Sequence, residues 1–441
     1  MKNLKHFYLE LEKKGRIIDK PAYKNLVNFS TNLDKPIHRW FDVKEGYSRD
    51  LIINLIDRFD VQKKELIFDP FCGSGTTLLT AKEKGIDSIG FEINPFLAFL
   101  TKVKLNNYIN KDILGLELAA KDIKEMSVKK SFISSPKLSI SKKLFGSRLK
   151  TILAIKEYIS QVPKNRIRDL LNICFLSILE DCSTSKKDGN GLKYPRNKIP
   201  KKVKSTFIKK LNQIIDDLKN TKDWRNKSFI FESDVRKLED ILKNKIDTNA
   251  IDLLNGFDIN NFNTFKKKVS LAIFSPPYMN CFDYTEVYKV ELWFGDFIKN
   301  YGELKKIREA TLSSHLNQTL TERKKLDNEY VNIFTEAISK KELWNKRIPF
   351  MIQGYFEDMW LVLKGLYQLL SPKRYCVIVV GNSAYGNIAI PTDLILGDIG
   401  LGVGFKSFEV NVARHLGTSS QQYRKVNQRN ILRESLVILK K

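Results

Sequence analysis

The hydrophobic positions of this chain are grouped in short runs separated by glycine, proline and charged turns. The runs are rich in branched and aromatic side chains, which is typical of buried β-strands. They lie at residues 65–68, 87–92, 228–234, 269–274, 374–383 and 434–441. Elsewhere apolar residues recur at helical spacing, as in residues 48–59, where Ser48 is placed to cap the helix. A second amphipathic helix is predicted over residues 353–370 and ends at Ser371–Pro372.

Residues 65–92 follow the order strand, glycine loop, helix and strand. The loop covers residues 69–75, and the helix predicted over residues 76–84 is followed by Gly85. This order is a βαβ unit, whose two strands are normally parallel. The sequence therefore predicts an α/β fold in which helices flank a mostly parallel central sheet.

The glycine loop FDPFCGSGTT, residues 68–77, is suited to close approach by a ligand. Gly73 and Gly75 remove side chains that would collide with a bound molecule, and the amides of the following helix point at the same space. The loop lacks the lysine of a Walker motif and the third glycine of a dinucleotide fingerprint, so we do not expect it to hold a pyrophosphate. Glu92, about twenty residues further on, is placed to accept ribose hydroxyls, and Asp234 to accept from an adenine amino group.

The tetrapeptide SPPY, residues 275–278, directly follows the apolar run VSLAIF at 269–274. Two consecutive prolines cannot extend a strand, because both lack an amide hydrogen and both fix φ. We therefore expect a rigid turn that holds the Ser275 hydroxyl and the Tyr278 ring at the strand tip. Such a tip is suited to a flat ligand.

The charge of the chain is strongly positive. Its 441 residues include 76 Lys and Arg against 50 Asp and Glu, a net charge of +26. So large an excess favours a polyanionic partner, and we expect nucleic-acid binding. The five cysteines and four histidines are scattered, which predicts neither a disulfide framework nor a metal site and fits a reducing cytoplasm. No apolar run reaches the length of a membrane span.

Together, DPFCGSGTT (69–77) and SPPY (275–278) resemble the motifs of the S-adenosylmethionine-dependent amino-methyltransferases of DNA. Those enzymes methylate the exocyclic amine of cytosine (N4) or of adenine (N6). The resemblance implies a Rossmann-like methyltransferase fold. It extends to further stretches: IHRWFDVKEGYS (37–48), SKKDGNGLKY (185–194), ESDVRKL (232–238), NCFDYTEVYKVELW (280–293) and VVGNSAYG (379–386).

The resemblance also implies S-adenosylmethionine as cofactor and assigns residues to it. The expected cofactor contacts are His38, Trp40, Ser48, Asp69, Pro70, Phe71, Cys72, Gly73, Ser74, Gly75, Thr76, Thr77, Glu92, Ile93, Asp234 and Val235. The expected catalytic residues are Ser275, Pro276, Pro277 and Tyr278. On this interpretation the Ser275 hydroxyl and the Pro276 carbonyl accept hydrogen bonds from the target amine, and Tyr278 stacks on a base that has left the duplex.

The first residue of the tetrapeptide bears on the target base. Serine at this position is, by resemblance, more frequent in cytosine-N4 enzymes, so we expect methylation of cytosine N4 in double-stranded DNA. Adenine-N6 methylation stays open, as do guanine-N2 methylation of RNA and an inactive DNA-recognition subunit. The family further implies a restriction–modification role, a cognate restriction endonuclease as candidate partner, and a prokaryotic, cytoplasmic, nucleoid-associated enzyme.

The predicted domain organisation has three parts. Residues 1–105 hold the cofactor-lid segment and the first half of the methyltransferase domain. Residues 106–225 form a mostly helical, basic region that is a candidate for target recognition, with phosphate contacts expected from segments 121–150 and 186–210. Residues 226–441 form the second half, with SPPY and a helical insertion near 297–350. Further candidates for contacts with phosphates or bases are Arg196, Arg414, Arg424 and Arg429.

Overall fold

The structure is a computed structural model of the chain. The structure describes residues 4–128, 136, 138–189, 191–221, 224, 226–242, 267–319, 326–417 and 429–441. The helices are α1 (Leu4–Lys14), α2 (Arg49–Arg58), α3 (Thr76–Lys84), α4 (Pro95–Leu105), α5 (Asn110–Glu125), α6 (Ser141–Phe145), α7 (Leu149–Gln161), α8 (Arg166–Cys182), α9 (Val203–Lys219), α10 (Leu238–Leu242), α11 (Tyr284–Val287), α12 (Lys289–Phe294), α13 (Tyr301–Ala310), α14 (Glu329–Ser339), α15 (Ile348–Leu369) and α16 (Thr392–Val403). The strands are β1 (Arg16–Asp19), β2 (Leu66–Asp69), β3 (Asp87–Glu92), β4 (Lys186–Asp188), β5 (Gly191–Lys193), β6 (Ser228–Glu232), β7 (Val269–Phe274), β8 (Leu370–Gly381), β9 (Ser383–Tyr385), β10 (Ile388–Ile390), β11 (Ser407–His415) and β12 (Arg433–Lys440).

Eight strands form one central sheet in the order β1-β11-β12-β8-β7-β2-β3-β6. Five adjacent strands run parallel to one another: β8, β7, β2, β3 and β6. Strand β12 is antiparallel to both of its neighbours, β8 and β11. Parallel neighbours require crossover connections, and helices such as α3 and α15 provide them. The predicted fold class, a Rossmann-like methyltransferase fold with a mostly parallel sheet, is confirmed.

The central strands are apolar on both faces because helices cover both faces. Every residue of β2 and of β7 is buried. Phe68 and Ala272 belong to the hydrophobic cluster on the side of α15. Ile67 and Leu271 belong to the cluster on the other side, which includes residues of α2. This two-sided burial explains why these strands are continuous apolar runs in the sequence.

The order of the strands reverses between β2 and β7. From β2 the chain moves to β3 and β6 on one side of the sheet, and later to β7 and β8 on the other. In open α/β sheets the carboxyl ends of the strands form a ligand crevice at such a switch point. The glycine loop follows β2 and SPPY follows β7, so the topology places both predicted motifs at this crevice.

Helices dominate residues 110–219, as the sequence predicted, with α5 and α7 to α9 packed together. Within this helical region, Lys186–Asp188 and Gly191–Lys193 pair as a hairpin of β4 and β5. Its Lys187 is buried and pairs with the equally buried Glu291 at 2.5 Å. The hairpin therefore joins the helical region to α12. No helix within the described part of the chain is long and apolar enough to cross a membrane.

The structure adds elements that the hydrophobic pattern did not predict, namely β1, β11 and α16. It also begins β8 at Leu370, four residues earlier than expected, so that the strand contains Ser371–Pro372. The pairing of β8 with β7 explains the proline. It skips from Leu370 to Tyr375, and Lys373 within the skipped segment has a positive φ of 64°. The proline therefore lies in an irregular segment of the ladder, where an amide hydrogen is not needed.

Candidate active site

A cavity lies at the crevice between the ends of β2 and β7. We call it the glycine-loop cavity. It is formed by the glycine loop, the end of β3, the turn after β6 and the start of SPPY. The predicted cofactor residues that line it are Pro70, Phe71, Cys72, Gly73, Ser74, Thr76, Glu92, Ile93, Asp234 and Val235.

Two left-handed glycines shape the loop, with φ of +52° at Gly73 and +79° at Gly75. A Cβ atom on Gly75 would lie 2.6 Å from Thr101 Cγ2, so a side chain there would displace α4 from the loop. Thr101 Oγ1 in turn donates to the Gly73 carbonyl at 2.8 Å, and Lys104 Nζ donates to the Ser74 carbonyl at 3.3 Å. The loop carbonyls are thus held from the side of α4.

Glu92, the last residue of β3, is held by backbone amides next to the loop. Its Oε2 accepts from the Gly73 amide at 2.9 Å, and its Oε1 accepts from the Asn94 amide at 2.8 Å. Burial nevertheless raises the pKa of Glu92 to about 7. Each carboxylate oxygen has further lone pairs, and the residue lines the cavity, so it is placed to accept from hydroxyl groups of a ligand.

Asp234 lines the same cavity, but its carboxylate already has a partner. Arg236 Nε lies 2.9 Å from Asp234 Oδ1, and Arg236 Nη2 lies 2.8 Å from Asp234 Oδ2. The same guanidinium donates to the Ala310 carbonyl at 3.1 Å and lies 3.3 Å from Asp358 Oδ1. Arg236 therefore ties the end of α13 to the turn that carries Asp234.

The other predicted cofactor residues do not line the cavity. Buried His38 contacts Glu83, with Nε2 and Oε1 3.4 Å apart. Trp40 Nε1 donates to Asp217 Oδ2 at 3.0 Å, so its ring faces the helical region. Ser48 is buried and caps α2 by accepting from an amide of that helix, as its predicted capping role requires. Gly75 faces α4. These positions support the wall of the cavity instead of forming it.

Asp69 and Thr77 also lie behind the wall, where both hold Tyr47. The Tyr47 hydroxyl donates to Asp69 Oδ2 at 2.9 Å and lies 2.5 Å from Thr77 Oγ1. Burial raises the pKa of Asp69 to about 6, against the lowering effect of its hydrogen bonds with Thr77, the Phe71 amide and Tyr47. Tyr47 itself lines the cavity. Asp69 and Thr77 therefore act on the cavity through a tyrosine that the sequence did not single out.

The cavity has further walls that the sequence analysis missed. They are Val43, Lys44, Glu45, Gly46, Tyr47, Asn94, Leu97, Ser233, Tyr284, Thr285, Ile307, Ala310, Thr311 and Leu312. Residues 43–47 fall within the family-like stretch at 37–48, from which the sequence analysis named His38, Trp40 and Ser48 instead. Residues 307–312 come from the end of α13 and carry no chemical signature that would mark them.

The SPPY turn brings Ser275 and Pro277 to the cavity, while Pro276 is buried behind them. The Ser275 hydroxyl donates to the Val379 carbonyl of β8 at 3.1 Å. Its single proton is therefore directed at the protein. The lone pairs of Oγ stay available to accept a hydrogen bond from a ligand.

A second cavity adjoins the first and is lined by Tyr278; we call it the Tyr278 cavity. The two cavities share Ser275, Tyr284 and residues 43–46. The Tyr278 hydroxyl donates to Glu434 Oε1 at 2.7 Å, which fixes the ring from β12. Gly381 leaves room for that ring, because a Cβ atom there would lie 3.0 Å from it. Burial and the Glu434 carboxylate raise the pKa of Tyr278, so its hydroxyl stays protonated.

Of the arginines proposed from the sequence, Arg414 lies at the Tyr278 cavity. Its Nε donates to Glu434 Oε2 at 2.5 Å. Arg196 is exposed in the segment between β5 and α9. Arg424 and the side chain of Arg429 lie outside the described residues, as do residues 129–135, 137 and 190 of the two basic segments.

Comparisons with known proteins relate the chain to DNA methylases. A family model described as DNA methylase (N6_N4_Mtase) matches residues 37–102. The chain is 31% identical to the type II methyltransferase M.BsoBI of Geobacillus stearothermophilus, over 98% of this chain and 92% of that protein. It is 26% identical to the type II methyltransferase M.AvaI of Anabaena variabilis, over 95% of this chain and 89% of that protein. A solved rRNA methyltransferase, aviRa of Streptomyces viridochromogenes, aligns over 93% of this chain and 92% of its own, with 9% identity and a TM-score of 0.30, too low to inform function.

Proposed function

Because this chain belongs to the N4/N6 amino-methyltransferase family of DNA methylases, we propose that it methylates the exocyclic amine of cytosine in double-stranded DNA, with S-adenosylmethionine as methyl donor. The observation that carries the proposal is the position of Ser275. This residue lines both the glycine-loop cavity and the Tyr278 cavity. A methyl donor in the first and a target base in the second would therefore meet at one hydroxyl group.

The glycine-loop cavity suits S-adenosylmethionine. Glu92 offers carboxylate oxygens for the ribose hydroxyls, and Ile93 and Val235 offer apolar walls for the adenine ring. Asp234 stands at the same end, with its carboxylate oriented by Arg236. When bound, the cofactor supplies an electrophilic methyl group on a sulfonium sulfur.

The chemistry that the chain must assist is activation of a poor nucleophile. The lone pair of an exocyclic amine is delocalised into the base, and it becomes available when the nitrogen is held in a pyramidal geometry. Ser275 Oγ and the Pro276 carbonyl are the proposed acceptors for the two amine hydrogens. The new N–C bond forms as the C–S bond breaks, and the amine then loses one proton to solvent. Alignment of the two reactants supplies much of the rate enhancement.

Tyr278 is the proposed stacking partner of the extruded base. The base must leave the duplex, because its amine is otherwise paired and enclosed in the stack. Glu434 holds the Tyr278 hydroxyl and Gly381 backs the ring, so the ring is fixed before a base arrives. A fixed aromatic face lowers the entropic cost of holding the base.

We propose cytosine over adenine because of Ser275, following the resemblance of the SPPY tetrapeptide to cytosine-N4 enzymes. The basic helical region, residues 106–225, is the proposed target-recognition part, and residues 1–105 and 226–441 the two halves of the methyltransferase domain. The type II relatives support a role in a restriction–modification system, with a cognate endonuclease as proposed partner.

Labelled methyl transfer to duplex DNA and to transfer RNA tests the proposal. We expect label in DNA alone, and N4-methylcytosine on mass spectrometry of the digested product. N6-methyladenine would assign the enzyme to the other target base. Label in transfer RNA, or tight DNA binding with no transfer to either substrate, would contradict the proposed function.

A further inference from the structure

An exposed surface of aromatic and basic residues covers residues 340–350; we call it the 340–350 surface. Trp344 is 65% exposed and Phe350 is 64% exposed. In contrast, Trp40 and Trp293 are fully buried. Exposed aromatic rings offer a large apolar area that a bound partner can cover.

This surface lies at the carboxyl edge of the sheet, where the two cavities open. Helix α15 ends where β8 begins, at the amino edge of the sheet. The helix is about 33 Å long, so its first residue lies at the opposite, carboxyl edge. Direct contacts agree with this placement. Met351 Sδ lies 3.7 Å from Cys281 Sγ, three residues after Tyr278. A Cβ atom on Gly386, in the turn between β9 and β10, would lie 2.6 Å from Lys341.

The hairpin of β9 and β10 links the surface to SPPY. Its Tyr385 donates a hydrogen bond to the Met279 carbonyl at 2.9 Å, and Met279 directly follows Tyr278. Leu343 packs on the core that contains Met279 and Tyr385. The surface and the stacking ring are therefore held by the same few elements.

The charge of this surface is positive. Lys340, Lys341, Lys346 and Arg347 are exposed, against the single acid Glu342. Lys340 pairs with Glu336 at 2.5 Å. Within the described ranges, Lys341, Lys346 and Arg347 form no ion pair. Free cations around an exposed ring complement a nucleic acid, which presents phosphates and base faces together.

We propose that the 340–350 surface binds the duplex beside the extruded base. Trp344 stacks on a neighbouring base or fills the gap that extrusion leaves in the base stack. Lys341, Lys346 and Arg347 pair with phosphates. Extrusion breaks stacking on both sides of the target, and an inserted apolar side chain restores part of it. This inference rests on the proposed function, because it takes duplex DNA as substrate, and it assigns DNA contacts outside the basic helical region.

The test uses sheared, enzymatically amplified genomic DNA, which is unmethylated and contains every recognition site. DNA binding and methyl transfer are compared for wild type, Trp344→Ala and the triple variant Lys341→Ala, Lys346→Ala and Arg347→Ala. Matched controls lie at the amino edge of the sheet. Lys63→Ala and Lys64→Ala, alone and combined, remove exposed charges there.

We expect Trp344→Ala to weaken DNA binding about tenfold or more, with cofactor affinity unchanged. We expect the triple variant to reduce the slope of log affinity against log salt by roughly 0.9 for each phosphate that it no longer neutralises. Tryptophan fluorescence should be quenched by DNA in the wild type and much less in Trp344→Ala. The amino-edge controls should bind as the wild type does.

DNA affinity within twofold of wild type for both the Trp344 and the triple variant, with no DNA-dependent quenching, would overturn the inference. The surface would then fit a protein partner instead. Methyl transfer by the wild-type chain to the same DNA is measured separately. Failure of that transfer would contradict the proposed function, whereas wild-type transfer with unaffected variants would contradict only the role of the 340–350 surface.

Discussion

Replacing Glu92 by Gln tests whether this carboxylate in the glycine-loop cavity binds the ribose of the cofactor. Both carboxylate oxygens accept from backbone amides, those of Gly73 and Asn94. A glutamine has one acceptor oxygen and one NH₂ donor, so one of these amides must then face a donor. The variant also loses the charge that strengthens hydrogen bonds from ribose hydroxyls. A hydrogen bond to a charged group contributes about 1.5–3 kcal/mol, so we expect the cofactor Kd to rise roughly 10- to 150-fold.

The dependence of this affinity on pH has a definite sign. The ionised carboxylate is the form that accepts from hydroxyls, and the pKa of Glu92 is raised to about 7 by burial. Lowering the pH through 7 protonates the group, so the cofactor Kd should rise below that pH by up to about tenfold per unit. The Glu92→Gln variant should lack this rise, because it has no proton to gain. Isothermal titration calorimetry with cofactor or S-adenosylhomocysteine measures the loss of affinity and its pH dependence. The range of pH 6 to 8.5 extends about one unit or more on each side of the pKa of Glu92.

The matched control is Glu232→Gln. Glu232 ends β6, pairs in register with Glu92 and does not line the cavity. We expect it to bind cofactor as the wild type does. Turnover of Glu92→Gln at saturating cofactor should fall much less than affinity does. An unchanged Kd in a folded Glu92→Gln variant would refute the placement of the ribose at this carboxylate.

Further expectations concern the SPPY turn and the loop. Tyr278→Ala should lower methyl transfer about 10- to 100-fold because the base is no longer stacked, with cofactor Kd unchanged; a collapse of cofactor affinity would misplace Tyr278. Ser275→Ala should lower kcat by roughly 10- to 100-fold at unaltered cofactor Kd, and equal turnover would remove Ser275 from catalysis. Gly75→Ala, with its Cβ against Thr101, should lower the free energy of unfolding by about 1–3 kcal/mol in urea, whereas Gly402→Ala, in open space on α16, should not.

The sequence predicted the central sheet well because burial on both faces leaves an unmistakable apolar run. It missed β11, in which the apolar Phe408, Val410 and Val412 alternate with the polar Glu409 and Asn411. It missed β1 because four residues with two charged ends carry too little pattern to separate a strand from a helix. These strands are specified by the neighbour on which they pair, and a single segment does not contain that information.

The candidate site was predictable where chemistry requires a special residue. Gly73 and Gly75 need positive φ, and Glu92 ends the next strand after them. The walls at 307–312 were not predictable, because aliphatic and threonine side chains serve equally well in any core. Glu434 was also missed. It lies near the start of β12, 156 residues from the tyrosine that it holds, and only the pairing of β12 with β8 brings the two together.

The placement of β12 has a consequence for biosynthesis. This strand follows the other strands of the sheet in the chain, yet it is inserted between β8 and β11. A ribosome that has not yet released residues 433–440 carries a chain with two unpaired strand edges, which invite aggregation. The same strand carries Glu434, which anchors Tyr278. On the proposed function, the aromatic platform for the base is thus completed only once residues 433–440 have been synthesised, after the glycine loop and Glu92 that would hold the cofactor.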